Sequence, residues 1–280
     1  MNQFKTVALL ALLTGVLVAI GGLIGGRSGL LLGLVIGGVM NLGSWFFSDK
    51  IALSSYKAQP VSREQIPELF EMVERLSQRA NMPMPGVYVV PSPAANAFAT
   101  GRDPHHGVVA VTQGILQMMP ADELEGVIAH ELTHILNRDT LTQAVAATIG
   151  GAISYLGQMA LFFGGTGDRE NRPNPIAVLL MAFLAPIAAS VIQMAISRTR
   201  EYEADAGAAK ITGNPRGLAN ALQRLEMGAR QLPMAGNPAF SPLLIINSIS
   251  GQAFSRLFST HPSTQSRIER LMQIERSRGA

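Results

Sequence analysis

The chain has 280 residues and a formal net charge of +3, with 48% hydrophobic and only 15% charged residues. Its apolar residues form long uncharged runs instead of being spread through one core, which is typical of a membrane protein. No basic patch is interleaved with aromatic residues, which excludes nucleic acid as a partner. The absence of cysteine excludes disulfide bonds and thiolate metal ligands.

The first two hydrophobic runs, 6–24 and 29–47, contain no charged residue. Arg27 lies in the turn between them. Each run is long enough, as an α-helix, to cross the hydrocarbon core of a lipid bilayer. We therefore predict a transmembrane hairpin over residues 1–47. A cleaved signal peptide is the alternative for the first run, but no convincing small-x-small cleavage site follows it. Glycines at every fourth position, including Gly33 and Gly37, indicate close packing of the helices.

Residues 48–139 are mixed in character and predict the first part of a soluble domain. Apolar residues at helical spacing predict an amphipathic helix that ends near Arg79. Three short runs, at 87–90, 96–99 and 108–111, predict the strands of a small sheet. His105 and His106 lie in a turn between the last two strands, and we do not expect them to bind metal.

An H-E-x-x-H motif spans His130 to His134, in a stretch whose Pro120 and following acidic residues suit a helix N-terminus. On a helix, His130 and His134 share one face, so their imidazoles can bind the same cation. Glu131 is one position further round and can reach a water molecule on that cation. The motif therefore predicts a catalytic zinc site with Glu131 as the base, and a chance match on a helix surface is the alternative.

Two further apolar runs, 141–163 and 176–196, follow the motif. Their length favours two more membrane crossings over buried core helices. The chain then returns to the side of the membrane that it left, which brings the segment from residue 198 onward beside the H-E-x-x-H helix. Lys50 and Arg138 lie close to the ends of the apolar runs, and this positive charge places the soluble parts and both termini in the cytoplasm.

The segment after the fourth run contains the acidic residues Glu201, Glu203 and Asp205. A third zinc ligand is expected here, and Asp205, four residues after Glu201, could orient a ligand histidine through its free ring nitrogen. Spacing does not separate Glu201 from Glu203, and an ion-paired helix terminus is the alternative.

The tail, 207–280, predicts mostly helical structure, with one helix near 215–230 and another that begins at Ser263 or Thr264. His261 precedes Pro262 at a helix start. It could stabilise the oxyanion of a tetrahedral intermediate, or it could be a surface or capping residue.

Three features occur together in this chain: the H-E-x-x-H motif, the two apolar runs after it, and the stretch Glu201-Tyr202-Glu203-Ala204-Asp205. This combination resembles the HtpX family of bacterial membrane zinc metalloproteases. That family is related to the CAAX prenyl proteases. The resemblance runs along nearly the whole chain and includes Asn96-Ala97-Phe98-Ala99 and His261-Pro262-Ser263 with Arg267. For Arg267, orientation of a partner and exposure to solvent both remain open.

This resemblance implies one Zn²⁺ per chain, bound by His130, His134 and Glu201, with Glu131 as the catalytic carboxylate. It implies a zincin-like (gluzincin) fold, an active site that faces the cytoplasm, and damaged or misfolded membrane proteins as substrates. The stretch Asn96, Ala97, Phe98 and Ala99 resembles the family's edge strand, so a substrate could bind there as an added strand.

We therefore predict a four-helix membrane protein with a cytoplasmic α+β peptidase domain. The domain is expected to combine residues 48–139 and 198–280, with transmembrane hairpins at 1–47 and 140–197. The expected function is that of a zinc endopeptidase of the cytoplasmic (inner) membrane in protein quality control and stress response. The alternatives are a CAAX-type protease for prenylated or short peptide tails and a non-catalytic scaffold with a structural zinc site. No oligomeric state is predicted.

Overall fold

The computed structural model describes residues 2–148, 198–234, 238–246 and 262–278. The predicted fourth membrane run and most of the third therefore lie outside the described residues. His261 also lies outside them.

The chain begins with a long helix, α1 (Asn2–Ser55), which is interrupted at Gly26. Gly26 has a φ of 56° and a ψ of −136°, a conformation that glycine adopts more readily than residues with a side chain. The two arms of α1 fold back on each other, and Asn41 Nδ2 donates to the carbonyl oxygen of Leu10 (3.0 Å) and to Thr14 Oγ1 (2.8 Å). The two arms therefore form a helical hairpin, and its place in a membrane stays a prediction.

Close packing of the two arms depends on glycine. A Cβ atom at Gly33 would lie 2.4 Å from the carbonyl oxygen of Leu17, which leaves no room for a side chain. Gly26–Gly43 is, within the described residues, the one helical stretch long and apolar enough to cross a membrane, and only 17% of it is buried. Leu10–Ala19 in the other arm is a shorter apolar helical stretch. The described part of the chain thus contains one candidate span where the whole sequence predicts four.

A four-stranded sheet follows, with the spatial order β1-β2-β4-β3. The central strands β2 and β4 are parallel, and each outer strand pairs with its neighbour in antiparallel fashion. Valine dominates β2 and β4, as suits buried strands. The order places β3 at an edge of the sheet. The strands are β1 (Gln59–Pro60), β2 (Gly86–Val90), β3 (Ala97–Thr100) and β4 (Val108–Thr112).

The three predicted strands are present, each within one residue of its predicted bounds. Strand β1 was not predicted, because two residues are too few to show a periodic pattern. His105 and His106 lie in a short 3-10 turn, Pro104–His106, where their backbone N–H groups donate to Asp103 Oδ1. They are turn residues, as predicted.

The helices of the peptidase region pack around α4, the helix that carries the H-E-x-x-H motif. This helix is buried on nearly all sides, because it packs against α6, α7, the sheet and α2. The polar side chains of the motif, from His130 to His134, therefore face protein instead of water. The helices are α2 (Pro67–Arg79), α3 (Gln113–Met118), α4 (Ala121–Leu136), α5 (139–148), α6 (Arg198–Thr212), α7 (Pro215–Gln231) and α8 (Thr264–Arg278).

A hydrophobic cluster joins the end of α1 to the sheet. Ala52 is fully buried, and the ring of Tyr56 lies 5.2 Å from the ring of Phe98, measured between centroids. Ala147 of α5 belongs to the same cluster. The N-terminal hairpin is thus attached directly to β3, the strand that carries Phe98.

Candidate metal centre

Helix α4 places the two histidines of the motif one turn apart on the same face. Their Nε2 atoms lie 3.2 Å apart, and the two ring planes are perpendicular. His130 is 1% exposed and His134 is 5% exposed. The two imidazoles therefore point at one buried position, as the motif predicts.

Glu201 reaches the same position from the first turn of α6. Its carboxylate oxygens lie 3.7 Å from His130 Nε2 and 3.6 Å from His134 Nε2. Glu203, which spacing alone did not separate from Glu201, is exposed on another face of the helix. The structure thus brings Glu201, and not Glu203, next to the histidines.

The three side chains fit a divalent metal ion in both spacing and donor type. Their candidate ligand atoms all lie within 4.8 Å of one another. Ligands bound to tetrahedral zinc at its usual bond lengths lie about 3.4 Å apart, close to the three separations of 3.2, 3.6 and 3.7 Å. Two imidazole nitrogens and one carboxylate oxygen are also the donors of many catalytic zinc sites, in which a fourth position is open to water.

Each histidine has a carboxylate at its other ring nitrogen. Asp205 Oδ1 lies 3.0 Å from His130 Nδ1, and Asp139 Oδ2 lies 3.0 Å from His134 Nδ1. A carboxylate in this place holds the proton on Nδ1 and leaves the Nε2 lone pair for the metal. Asp205 thus lies at the free ring nitrogen of His130, and its role in orienting this histidine stays a prediction. Asp139 was missed, because it lies beyond the end of α4, after a turn in which Arg138 has a φ of 57°.

Arg267 connects helix α8 to the carboxylates of Asp205 and Glu201. It is 2% exposed, and its Nε and Nη2 donate to Asp205 at 2.9 and 2.6 Å. Its Nη1 lies 3.6 Å from a carboxylate oxygen of Glu201. A buried cation here offsets the negative charge of two buried carboxylates. Of the two roles left open by sequence, solvent exposure is therefore wrong, and Arg267 orients a partner.

Burial tunes the protonation of the motif side chains. It raises the pKa of Glu131 to about 7, which allows this carboxylate to exchange a proton near neutral pH. It lowers the pKa of His130 to about 4, which keeps that imidazole neutral, as a metal ligand must be. Burial also acts to lower the pKa of His134, but the hydrogen bond to Asp139 and the nearby carboxylates raise it overall. A metal ion would compete with that proton.

The predicted substrate strand lies beside this site, but its outer edge is covered. The backbone N–H of Ile245 donates to the carbonyl oxygen of Ala97 (3.0 Å), and Asn96 Nδ2 donates to the carbonyl oxygen of Ile246 (3.0 Å). Only a narrow gap, with no room for a water molecule, remains between this segment and the motif. It is lined by His130, Glu131, His134, Gln143, Glu201, Leu243, Leu244 and Ile245.

This arrangement is that of a metallopeptidase site. It combines two histidines from an H-E-x-x-H helix, a glutamate from a second helix and a buried carboxylate beside them. The profile of Peptidase family M48 matches residues 63–275. The chain belongs to this family.

Relatives of similar length support the assignment. A protein described as a Protease HtpX homolog from Trichormus variabilis is 65% identical over 98% of this chain and 97% of its own length. Another protein of the same description, from Pelotomaculum thermopropionicum, is 51% identical over 97% of this chain and 98% of its own. The predicted resemblance to the HtpX family, and with it the prediction of a membrane metalloprotease, is confirmed.

A solved structure shares the fold at low sequence identity. The crystal structure of S. mikatae Ste24p superposes with a TM-score of 0.52 and 19% identity. The match covers 96% of this chain and 65% of the Ste24p chain. This likeness concerns the fold alone.

Proposed function

We propose that this metalloprotease is a zinc-dependent endopeptidase of the cytoplasmic membrane that cleaves damaged or misfolded membrane proteins. The observation that carries the proposal is the convergence of His130, His134 and Glu201 on one buried position, with the carboxylate of Glu131 beside them. Three protein ligands and a separate carboxylate favour catalysis, because a structural zinc site is usually closed by four protein ligands.

In the proposed mechanism, His130, His134 and Glu201 hold the metal. Zinc bound here supplies Lewis acidity to the scissile carbonyl and lowers the pKa of a water molecule. The carboxylate of Glu131 accepts the proton of the attacking water and later donates it to the leaving amine nitrogen. A Glu131 pKa of about 7 suits both transfers. His261 is proposed to stabilise the oxyanion, on the strength of the family resemblance alone.

We further propose four membrane spans and a peptidase domain built from residues 48–139 and 198–280. The N-terminal hairpin and the length of the apolar runs 141–163 and 176–196 support four spans. The match of one family profile to residues 63–275 supports a single domain on both sides of the second hairpin. Basic residues near the ends of the runs support a cytoplasmic active site and cytoplasmic termini.

The decisive experiment compares zinc content and hydrolysis of unfolded casein by the detergent-purified chain and three variants. We expect Glu131→Gln to keep its zinc and lose hydrolysis by about 10²- to 10⁴-fold, because it removes the proton acceptor. We expect Glu201→Ala to lose much of both. Glu203→Ala is the matched control, because this carboxylate is exposed on the same helix, and it should change neither. Equal hydrolysis by Glu131→Gln and the unaltered chain would refute the mechanism.

The substrate and orientation parts of the proposal have their own tests. In vesicles, a membrane protein with a destabilised fold should be cut faster than its stable parent. Because the chain has no cysteine, Glu203→Cys supplies a single exposed thiol, which a membrane-impermeant maleimide should label in inside-out vesicles and not in intact cells. Labelling in intact cells would place the site outside the cytoplasm.

A further inference from the structure

A short segment of the chain lies where an extended peptide would bind at the edge of the sheet. Strand β3 pairs with β4 on one side, and its other side faces residues 243–246. Ala97 directs its carbonyl oxygen to that side, where it accepts from the N–H of Ile245. The side chain of Asn96 adds a second hydrogen bond, to the carbonyl oxygen of Ile246. The segment thus occupies a main-chain carbonyl of the edge that an added strand would use.

The same segment covers the metal-binding residues. Leu243, Leu244 and Ile245 line one side of the narrow gap whose other side is formed by residues that include His130 and Glu131. The gap between them has no room for a water molecule, whereas small-molecule sites have volumes of roughly 300 Å³ or more. A polypeptide therefore does not fit between the segment and Glu131.

The side chains of the segment show what chemistry this place accepts. Leu243, Leu244 and Ile245 are 4%, 1% and 2% exposed, although Leu243 ends a short 3-10 helix, Pro238–Leu243, and the other two lie in no helix or strand. Leu244 belongs to the hydrophobic cluster of Tyr56 and Phe98, and Ile245 belongs to the main core. The sites that hold these side chains, beside the catalytic residues, are thus hydrophobic pockets that suit aliphatic side chains.

Glu131 is close enough to this edge to act on a chain bound there. The backbone amide of Ala99, two residues beyond Ala97 in β3, contributes a hydrogen bond to the Glu131 carboxylate. Main-chain groups of alternate residues point to the same side of a strand, so Ala97 and Ala99 face one edge. A peptide bound along that edge would pass Glu131 and the metal-binding histidines.

We propose that residues 243–246 are an internal occupant of the substrate site on β3, which the substrate displaces, and that the preferred substrate is an extended aliphatic segment. This inference rests on the proposed peptidase function and names its substrate class and its regulation. Arg267 adds an anchor to the closed state, because its Nη1 donates to the carbonyl oxygen of Ile245 (3.2 Å). Polypeptides rich in Leu, Ile and Val, such as unfolded membrane segments, match the hydrophobic pockets that the occupant vacates.

The kinetic test uses Leu244→Ser, which removes one aliphatic side chain of the occupant. The apparent KM of a protein whose competent state is rare is raised by the inverse of that state's population. We therefore expect Leu244→Ser to lower KM about 10-fold for a fluorogenic peptide with a Leu-Leu-Ile-Ile centre, at nearly unchanged kcat. The unaltered chain should cleave this peptide at least about 10-fold more efficiently than one with a Ser-Gly-Ser-Gly centre. Leu232→Ser, at a leucine that is 47% exposed, is the control and should change neither constant.

A second test needs no catalysis and covers the case in which Leu244→Ser does not fold. In the Glu131→Gln background, Leu244→Cys supplies a single thiol, which should react slowly with maleimide while the segment is in place. Saturating Leu-Leu-Ile-Ile peptide should raise the labelling rate at least about 10-fold. Leu225→Cys, at a core leucine that is 0% exposed, is the control and should not respond.

The outcomes separate this inference from the proposed function. An unchanged KM in Leu244→Ser, or labelling of Leu244→Cys that does not respond to peptide, overturns the internal occupant. Equal cleavage of the aliphatic and polar peptides overturns the substrate class. If peptide accelerates labelling but no chain hydrolyses any peptide, the occupant stands and the peptidase function fails.

Discussion

Asp139 Oδ2 lies 3.0 Å from Nδ1 of His134, although Asp139 follows the end of the helix that carries this histidine. The carboxylate is fully buried. Its place at the ring nitrogen opposite the metal-facing one means that it sets the tautomer and the orientation of the imidazole.

We therefore expect Asp139→Asn to lower zinc affinity about 10- to 100-fold, because the amide cannot replace the charge that makes the imidazole a stronger ligand. Competition with a chromophoric chelator would measure the loss. Asp122→Asn is the matched control, because Asp122 is an exposed carboxylate in the first turn of α4. Equal affinities for Asp139→Asn and the control would mean that Asp139 has no part in metal binding.

Arg267→Met tests the buried charge pair with Asp205. The variant keeps an apolar side chain of similar length but leaves a buried carboxylate without its cation, which typically costs about 3–5 kcal/mol. Urea unfolding of the full chain in detergent should show this as a lower midpoint. Arg276→Met, at an exposed position on the same helix, should stay within about 0.5 kcal/mol of the unaltered chain. A midpoint for Arg267→Met that matches this control would contradict the role given to the pair.

Gly126 tests how closely α4 and α7 approach. A Cβ atom at this position would lie 2.7 Å from the backbone nitrogen of Leu218, so Gly126→Ala should destabilise the protein by about 1–3 kcal/mol. Gly228→Ala is the matched control, because the nearest atom to its Cβ would be Met118 Sδ at an ordinary 3.6 Å. Alanine also favours the helix, so this control should stabilise by about 0.5–1 kcal/mol. If both substitutions changed the free energy of unfolding in the same direction, the two helices would not be in close contact.

The N-terminal hairpin can be tested through its glycine contact. Thr14→Cys with Asn41→Cys places two thiols where the native side chains are 2.8 Å apart, in a chain that has no other cysteine. Gly33→Leu should lower the yield of the disulfide in membranes, because its side chain would collide with the backbone at Leu17. Gly38→Leu should not, because a Cβ at Gly38 meets nothing within 4 Å. Undiminished yield with Gly33→Leu would argue against the hairpin geometry.

Sequence patterns predicted the helices and strands whose apolar residues recur at a regular spacing. The strands near Val87 and Val108 and the motif helix follow from alternation and from helical spacing. The pairing of His130 and His134 follows because both lie on one helix. The third metal ligand has no such signal, because spacing does not separate Glu201 from Glu203. The family resemblance pointed to Glu201, and the folded chain places Glu201 beside the histidines.

Other features of the site have no local signal. Arg267 meets Asp205 across 62 residues, and Ile245 meets Ala97 through a bend that has no periodicity. Contacts of this kind depend on how separate elements pack, so a pattern within one element does not predict them. Asp139 is only five residues from His134, but the direction of its side chain depends on the turn at Arg138.

The uninterrupted helix from Gly26 to Ser55 has a consequence for where the enzyme can cut. Ala52, fixed in the cluster with Phe98 of β3, lies about 13 Å along the helix axis beyond Gly43, the last residue of the candidate span. In the proposed orientation this rigid arm fixes the distance between the lipid headgroups and strand β3, beside which Glu131 lies. A peptide bond is then cleaved according to its distance from the bilayer as well as its sequence, and one inserted helical turn in the arm would move the cut by about 5.4 Å.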